Sequence, residues 1–233
     1  MIKKLTFNKL LFLIVFIICL LITLIFPTLS SFVVFFSCIF GIIATNHAKN
    51  GKWQTFLFDI ISCILYLPIC IKEQYVGELI LSIGIIFTNF LCIKEWKRNT
   101  HNSFVDVYKI NKTELKFISF LFMICFLIYL AILNKLKCEF AILNCVSTIF
   151  FILGNYFSYR RSILQFYSLI VYECAYILLW FLSATDGEPY GIILLLGGIV
   201  ELIFDVIAIK KWNKISQLQK TRKCKAYMFE KSV

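Results

Sequence analysis

The chain has 233 residues, of which 61% are hydrophobic and 16% charged, with a formal net charge of +11. A mean hydropathy of +0.86 cannot be reconciled with one aqueous domain beneath a polar surface. Strand-like alternation is absent, which excludes a transmembrane barrel, so the long apolar runs are read as membrane helices.

Eight apolar runs follow one another, over residues 10–26, 32–45, 56–71, 79–93, 117–133, 140–157, 166–183 and 190–209. A bilayer core takes roughly 20 apolar residues per helix, so the length of the chain allows about eight spans. Lys3, Lys4 and Lys9 precede the first run in the manner of a signal peptide. That run is long and has no clear cleavage site, so a retained helix is expected. Counting loops alternately from a cytoplasmic N-terminus, all but Lys72, Lys135 and Lys137 of the 24 Lys and Arg fall on the inner side. This positive-inside bias predicts eight spans with both termini cytoplasmic. It also accounts for the net charge without nucleic acid, which is excluded as a partner. The lipid bilayer, with its anionic surface, is the expected one.

The ten Cys fall mostly inside apolar runs and form no C-x-x-C pair, so they are read as small hydrophobic fillers. With only His47 and His101, a His-based metal site is not expected. No cofactor motif and no Walker A sequence occurs, so no cofactor is expected and this chain does not hydrolyse ATP.

Two halves of the sequence echo one another. FLFDIISCILY at 56–66 matches FYSLIVYECAY at 166–176 in its Phe, its central aliphatic pair and its final Tyr. IKEW at 93–96 and IKKW at 209–212 close the helix after each. A Gly-containing helix, with Gly41 or Gly154, precedes each. The expected organisation is an extra N-terminal helix (1–30), a three-helix repeat (31–98), a loop and linker helix (99–136), a second three-helix repeat (137–214) and a cytoplasmic tail (215–233). The linker span is needed for geometry. Three spans leave the chain on the opposite face, and one more lets the second triple enter with the same orientation. Parallel repeats of this kind are a transporter architecture with the site between them.

An ionisable side chain at mid-bilayer costs roughly 2.5–3.5 kcal/mol on insertion scales, which makes intramembrane acids informative. Glu201, Asp205, Ala208 and Trp212 form one stripe of the last helix, and Ile85, Asn89, Cys92 and Trp96 have the same spacing in the first half. Asp59, Cys63 and Tyr66 form another stripe, matched by Leu169, Glu173, Tyr176 and Trp180. Plainer roles exist for several of them. Trp96 and Trp212 suit an interfacial belt, and Asp59 stands near the start of its helix, where the membrane begins. Asn89, Asn144 and Asn155 suit interhelical hydrogen bonds, and Tyr66 and Tyr176 suit packing. Glu201 and Asp205 resist such readings, because no Lys or Arg falls in the middle of any span. Unpaired acids would share protons or meet a cationic ligand.

The stretch GKWQTFLFDIISCILYLPICIKEQYVGELILSIGIIFTNFLCIKEW, at 51–96, resembles the first repeat of PnuC-type vitamin transporters. The basic Gly loop, the helix ending in Tyr66, the turn Gln74-Tyr75-Val76-Gly77-Glu78 and the closing Trp96 follow that family's order. Asn89 stands where the family has Gln. Ile93 and Cys92 replace a Trp and a Gly of its closing motif, and Glu173 replaces an Asn, so membership transfers better than substrate. The resemblance implies an all-α, SWEET-like 1+3+1+3 bundle in the inner membrane. It also implies facilitated diffusion of a vitamin precursor, typically nicotinamide riboside, trapped by a cytoplasmic kinase. Tyr and Trp faces suit the flat pyridinium cation. Glu173, Glu201 and Asp205 would balance its charge, and Asn89 and Asn144 would serve its hydroxyls. Tyr66, Tyr176, Trp96, Trp180 and Trp212 complete the expected substrate set. Alternatives are a thiamine or nucleoside transporter of the same fold, a non-transporting scaffold or sensor, a binding subunit of an energised complex, and an acid–base enzyme using Glu201 and Asp205. The oligomeric state, a homo-oligomer included, is open.

Overall fold

The computed structural model describes residues 7–72, 76–101, 104–138, 140–185 and 189–230. Among them are eight helices: α1 (Phe7–Ile25), α2 (Leu29–Ala48), α3 (Thr55–Lys72), α4 (Val76–Arg98), α5 (Lys112–Lys135), α6 (Ala141–Tyr159), α7 (Leu164–Thr185) and α8 (Pro189–Glu230). Five of these contain stretches long and apolar enough to cross a membrane, and α1 and α3 supply shorter apolar stretches. The fold is all-α but for a small hairpin, β1 (Thr100–His101) and β2 (Phe104–Val105), between α4 and α5. Gln74 and Tyr75 of the turn before α4, and Lys3 and Lys4, lie outside the described residues.

Local chemistry sets the helix ends. Pro27 interrupts the chain between α1 and α2, and Thr28 then caps α2 by accepting from the Ser31 N–H at 3.0 Å. Asn111 caps α5 in the same way, accepting from the Glu114 N–H at 2.7 Å. Pro189 opens α8, where its missing N–H costs nothing. This last helix runs on through the polar segment that the sequence assigned to a tail. That segment is rich in Lys, Gln and Arg and has no Gly or Pro to stop it.

The helices pack as two sets. In one, α2 packs on α3 and α3 on α4; in the other, α6 packs on α7 and α7 on α8. The sets then meet crosswise, α2 against α8 and α4 against α6. α5 rests on α6, and α1 lies against α2 and α8. Phe117, Phe120 and Leu127 of α5 are more than half exposed, a surface that suits lipid tails and not water.

The turns after α2 and α6 are built alike. Gly51 N–H donates to Ala48 O and Lys52 N–H to His47 O; Arg161 N–H donates to Ser158 O and Ser162 N–H to Phe157 O. Both turns pass through the left-handed region, at Gly51 (φ 65°) and Arg161 (φ 54°). Glycine adopts that conformation freely, whereas arginine must be held in it. The segment after the hairpin does so. Arg161 Nη1 donates to Asp106 O at 3.2 Å, Arg161 Nη2 lies 3.3 Å from Glu95 Oε1, and Tyr108 N–H donates to Arg161 O. The same strand reaches the other turn, where Val105 N–H donates to Gly51 O. The connecting segment thus clasps both turns at the basic end of the bundle.

Trp96 of α4 and Trp212 of α8 lie under that clasp, both fully buried. Their rings are 5.6 Å apart, and each meets a Phe edge-on: Phe56 with Trp96 at 4.8 Å, Phe166 with Trp212 at 5.1 Å. Each indole N–H crosses to the other set, Trp96 to Ser158 O at 2.8 Å and Trp212 to Ala48 O at 3.0 Å. Trp212→Ala should destabilise the protein by about 3–5 kcal/mol, the usual loss for a large buried aromatic. Thermal unfolding in detergent checks this, and an unchanged melting temperature would show that the cluster is not holding the two sets together.

Candidate functional site

A cavity of about 870 Å³ lies between the two helix sets, lined by residues of every helix except α1. That is ample for a nucleoside-sized ligand, since ligand pockets run from about 300 to 1,000 Å³. Asn89, Tyr66, Asn144, Glu173, Tyr176, Trp180, Glu201 and Asp205 of the expected set all line it. Trp96 and Trp212 do not. Ala48, Phe56 and Ser158, which the two tryptophans bond or stack on, belong to the lining, so the tryptophan cluster forms the layer beneath the cavity floor. They are not placed to touch a guest in this conformation. Their indole protons are taken by backbone carbonyls, and burial in the cluster satisfies their rings.

Four acids converge here from three helices. Asp59 lines the cavity and accepts from Asn89 Nδ2 at 2.8 Å. The α3–α4 packing brings these two residues together, a pairing that the stripes of single helices do not reveal. Glu173 of α7 and Glu201 of α8 come within hydrogen-bond contact of each other, and Glu201 also reaches Thr45. Two carboxylates this close repel unless a proton or another cation lies between them. Asp205 lies one turn further along α8 and is 2% exposed.

Glycines make this approach feasible. A Cβ on Gly41 of α2 would stand 2.7 Å from Glu201 Oε1, and one on Gly198 of α8 would stand 3.1 Å from the Tyr176 ring and 3.3 Å from Glu173 Oε2. On α7, Tyr172, Tyr176 and Trp180 follow at successive turns with ring centroids 5.4 and 5.9 Å apart, a continuous aromatic wall. Four buried polar atoms of the lining have no protein partner: Asn89 Oδ1, Gln165 Nε2, Glu173 Oε2 and Asp205 Oδ1. Buried polar groups are normally paired, so such orphans mark where a guest or water completes the hydrogen bonding. The lining holds no Lys or Arg among the described residues. No group of three His, Cys, Asp or Glu could hold a metal ion among them either.

The sequence did miss one cation. Lys49, directly after α2, is fully buried, and its Nζ stacks 3.5 Å above the Phe204 ring without a hydrogen-bond partner. It is near enough to Asp205 for each charge to act on the other. Burial, with a lesser push from Lys211, brings its ammonium down to a pKa of about 8. By sequence Lys49 belongs to a basic loop; the tight turn at Gly51 tucks it inward instead.

A family profile described as "Nicotinamide mononucleotide transporter" matches residues 31–214. The chain belongs to the nicotinamide mononucleotide transporter family. It is a multi-pass membrane protein of a transporter family and not an enzyme. The chain is similar in fold to the crystal structure of the vitamin B3 transporter PnuC, with a TM-score of 0.75 and 18% sequence identity. The match covers 92% of this chain and 94% of the other. No curated relative matches.

Within a transporter, the glycine contacts are open to test. Gly41→Ala drives a methyl against Glu201, whereas Gly84→Ala meets nothing within 4 Å. Transport should fall about tenfold in the first, equivalent to roughly 1.4 kcal/mol, and hold in the second. Equal rates for the two variants in reconstituted liposomes would show that the Glu201 position is not critical.

Proposed function

We propose that this family member carries a flat, cationic, nucleoside-like vitamin precursor, nicotinamide riboside first among them, by facilitated diffusion. The observation that carries the reading is the lining itself: four carboxylates and an aromatic wall, with no basic side chain among the described residues of the lining. A pyridinium is attracted by aromatic faces and by carboxylates alike. A ribose offers hydroxyls to Asn89 Oδ1 and Gln165 Nε2, which lack protein partners. The lining also favours the riboside over the mononucleotide. The phosphate of a mononucleotide would enter a cavity of like charge with no Lys or Arg to meet it. Thiamine, another aromatic cation, is the nearest competitor.

The proposed substrate contacts are Glu173, Glu201, Asp205, Asn89, Tyr66, Tyr176, Trp180 and Asn144, to which Asp59 is added. Trp96 and Trp212 are proposed instead as the floor that must separate when the basic end opens. We read the bundle as an extra helix followed by two parallel triples, α2–α4 and α6–α8, joined by α5. The like-built turns at Gly51 and Arg161, the crosswise packing and the exchanged indole bonds support this. The two triples then rock against each other, closing on the tryptophan cluster or parting there, to expose the cavity to either side in turn. The charge bias orients the basic end, with both termini, toward the cytoplasm of an inner membrane, where a kinase would trap the substrate.

Glu201→Gln and Asp205→Asn should each weaken nicotinamide riboside binding by about 30-fold or more, since losing one partner of a buried charge pair costs roughly 2–5 kcal/mol. Purified protein in liposomes should equilibrate the riboside without an imposed proton gradient. Unchanged binding in both variants, or uptake only with a gradient, would contradict the reading.

A further inference from the structure

Lys49 is a buried ammonium held by one aromatic face, beside a carboxylate whose Oδ1 has no partner either. Leaving such a pair incompletely satisfied is costly, since each buried charge loses its hydration without full repayment by a partner. Phe204, which carries the ammonium, directly precedes Asp205 in α8. Asp205 lines the cavity, and Lys49 lies outside it toward the basic end. Lys49 shares the wall of a second pocket there, about 340 Å³, with Asn50, Asp106, Lys211, Lys214 and Gln219.

We propose that Lys49 is an internal competitor of the transported cation, its positive charge on the Phe204 ring acting on Asp205 as the guest's does. This rests on the reading of the cavity as a cation site and adds a specificity-determining residue to it. Held on the Phe204 ring, the ammonium partly offsets the charge of Asp205 and so weakens its pull on a second cation. Two consequences follow. Asp205 is never stranded as a lone charge in the membrane. Lys49 also keeps cation affinity moderate, so that cargo is released and not trapped.

The charges facing Lys49 are few. Lys211 and Lys214 on α8 and Asp106 on the connecting segment lie around its pocket, Asp205 lies beyond Phe204, and His47 and Lys52 belong to its own turn. Lys211 is engaged with Asn50 Oδ1 at 2.8 Å. Lys49 is the cation of this set that stacks on the ring next to Asp205.

The test compares nicotinamide riboside with its reduced form, the dihydropyridine, which has the same shape and no positive charge. Lys49→Met should bind the cation about tenfold tighter, a typical coupling between two ligands of one site. It should bind the neutral form as the wild type does. Lys49→Arg, which keeps the charge, should resemble the wild type with both, and Lys49→Gln, read beside Lys49→Met, should follow it should the latter fail to fold. In the wild type, affinity for the cation should rise as pH climbs through about 8, where the ammonium is lost. Glu173, Glu201 and Asp205 are present in every variant, so the Lys49 contribution is the part of that rise missing from Lys49→Met. A neutral variant that binds the cation no tighter, or that shifts both ligands equally, overturns the proposal while leaving the cavity reading standing. A wild type that binds neither compound removes the cavity reading and this inference with it.

Discussion

Two indole protons hold the bundle together where it matters most. Trp96 and Trp212 each give theirs to a backbone carbonyl of the opposite helix set, and their rings meet between the sets. A buried indole N–H without an acceptor would be costly, so each set depends on the other for its own satisfaction. The cluster closes one end of the gap between the sets without filling it. The cavity above follows from that arrangement, as does the clasp of the connecting segment over the two left-handed turns below.

Above the floor the chemistry reverses. The cluster is apolar and fully paired, whereas the cavity holds carboxyl, amide and hydroxyl groups of which several lack protein partners. Stability alone does not favour this, since apolar side chains of similar volume would pack such a space better. Gly41 and Gly198 give up packing to let Glu201, Glu173 and Tyr176 approach α2 and α8 closely. The same trade recurs at Lys49, buried next to Asp205 at a cost to its own ionisation. Sites that forgo stability in this way are where a protein meets its ligand.

Much of this was legible in the sequence, because a bilayer imposes simple rules. Apolar runs became helices, and single-helix stripes grouped Glu201 with Asp205 and Glu173 with Tyr176, all four of which line the cavity, since side chains one turn apart share a face. What failed were properties created between elements. Trp96 and Trp212 have the spacing of ligand contacts, but a stripe does not say which neighbour it meets, and here the neighbours are Phe56, Phe166 and each other. Asp59 stands near a helix start in the sequence, and only the α3–α4 packing sets Asn89 against it and puts it in the lining. Lys49 looked like one of many loop lysines, and only the turn at Gly51 turns it inward. The continuation of α8 was missed for a different reason: polarity marked the end of the membrane, not the end of the helix.

The account rests on a positive guest lying among the carboxylates between the two helix sets. A structure of the complex with nicotinamide riboside, by cryo-electron microscopy or crystallography, tests it most directly. The pyridinium is expected within about 6 Å of the Tyr176 or Trp180 ring, with Glu173, Glu201 and Asp205 around it. Density for the compound at the lipid-facing surface, or in the cavity with its ring turned away from every acid, would contradict the account.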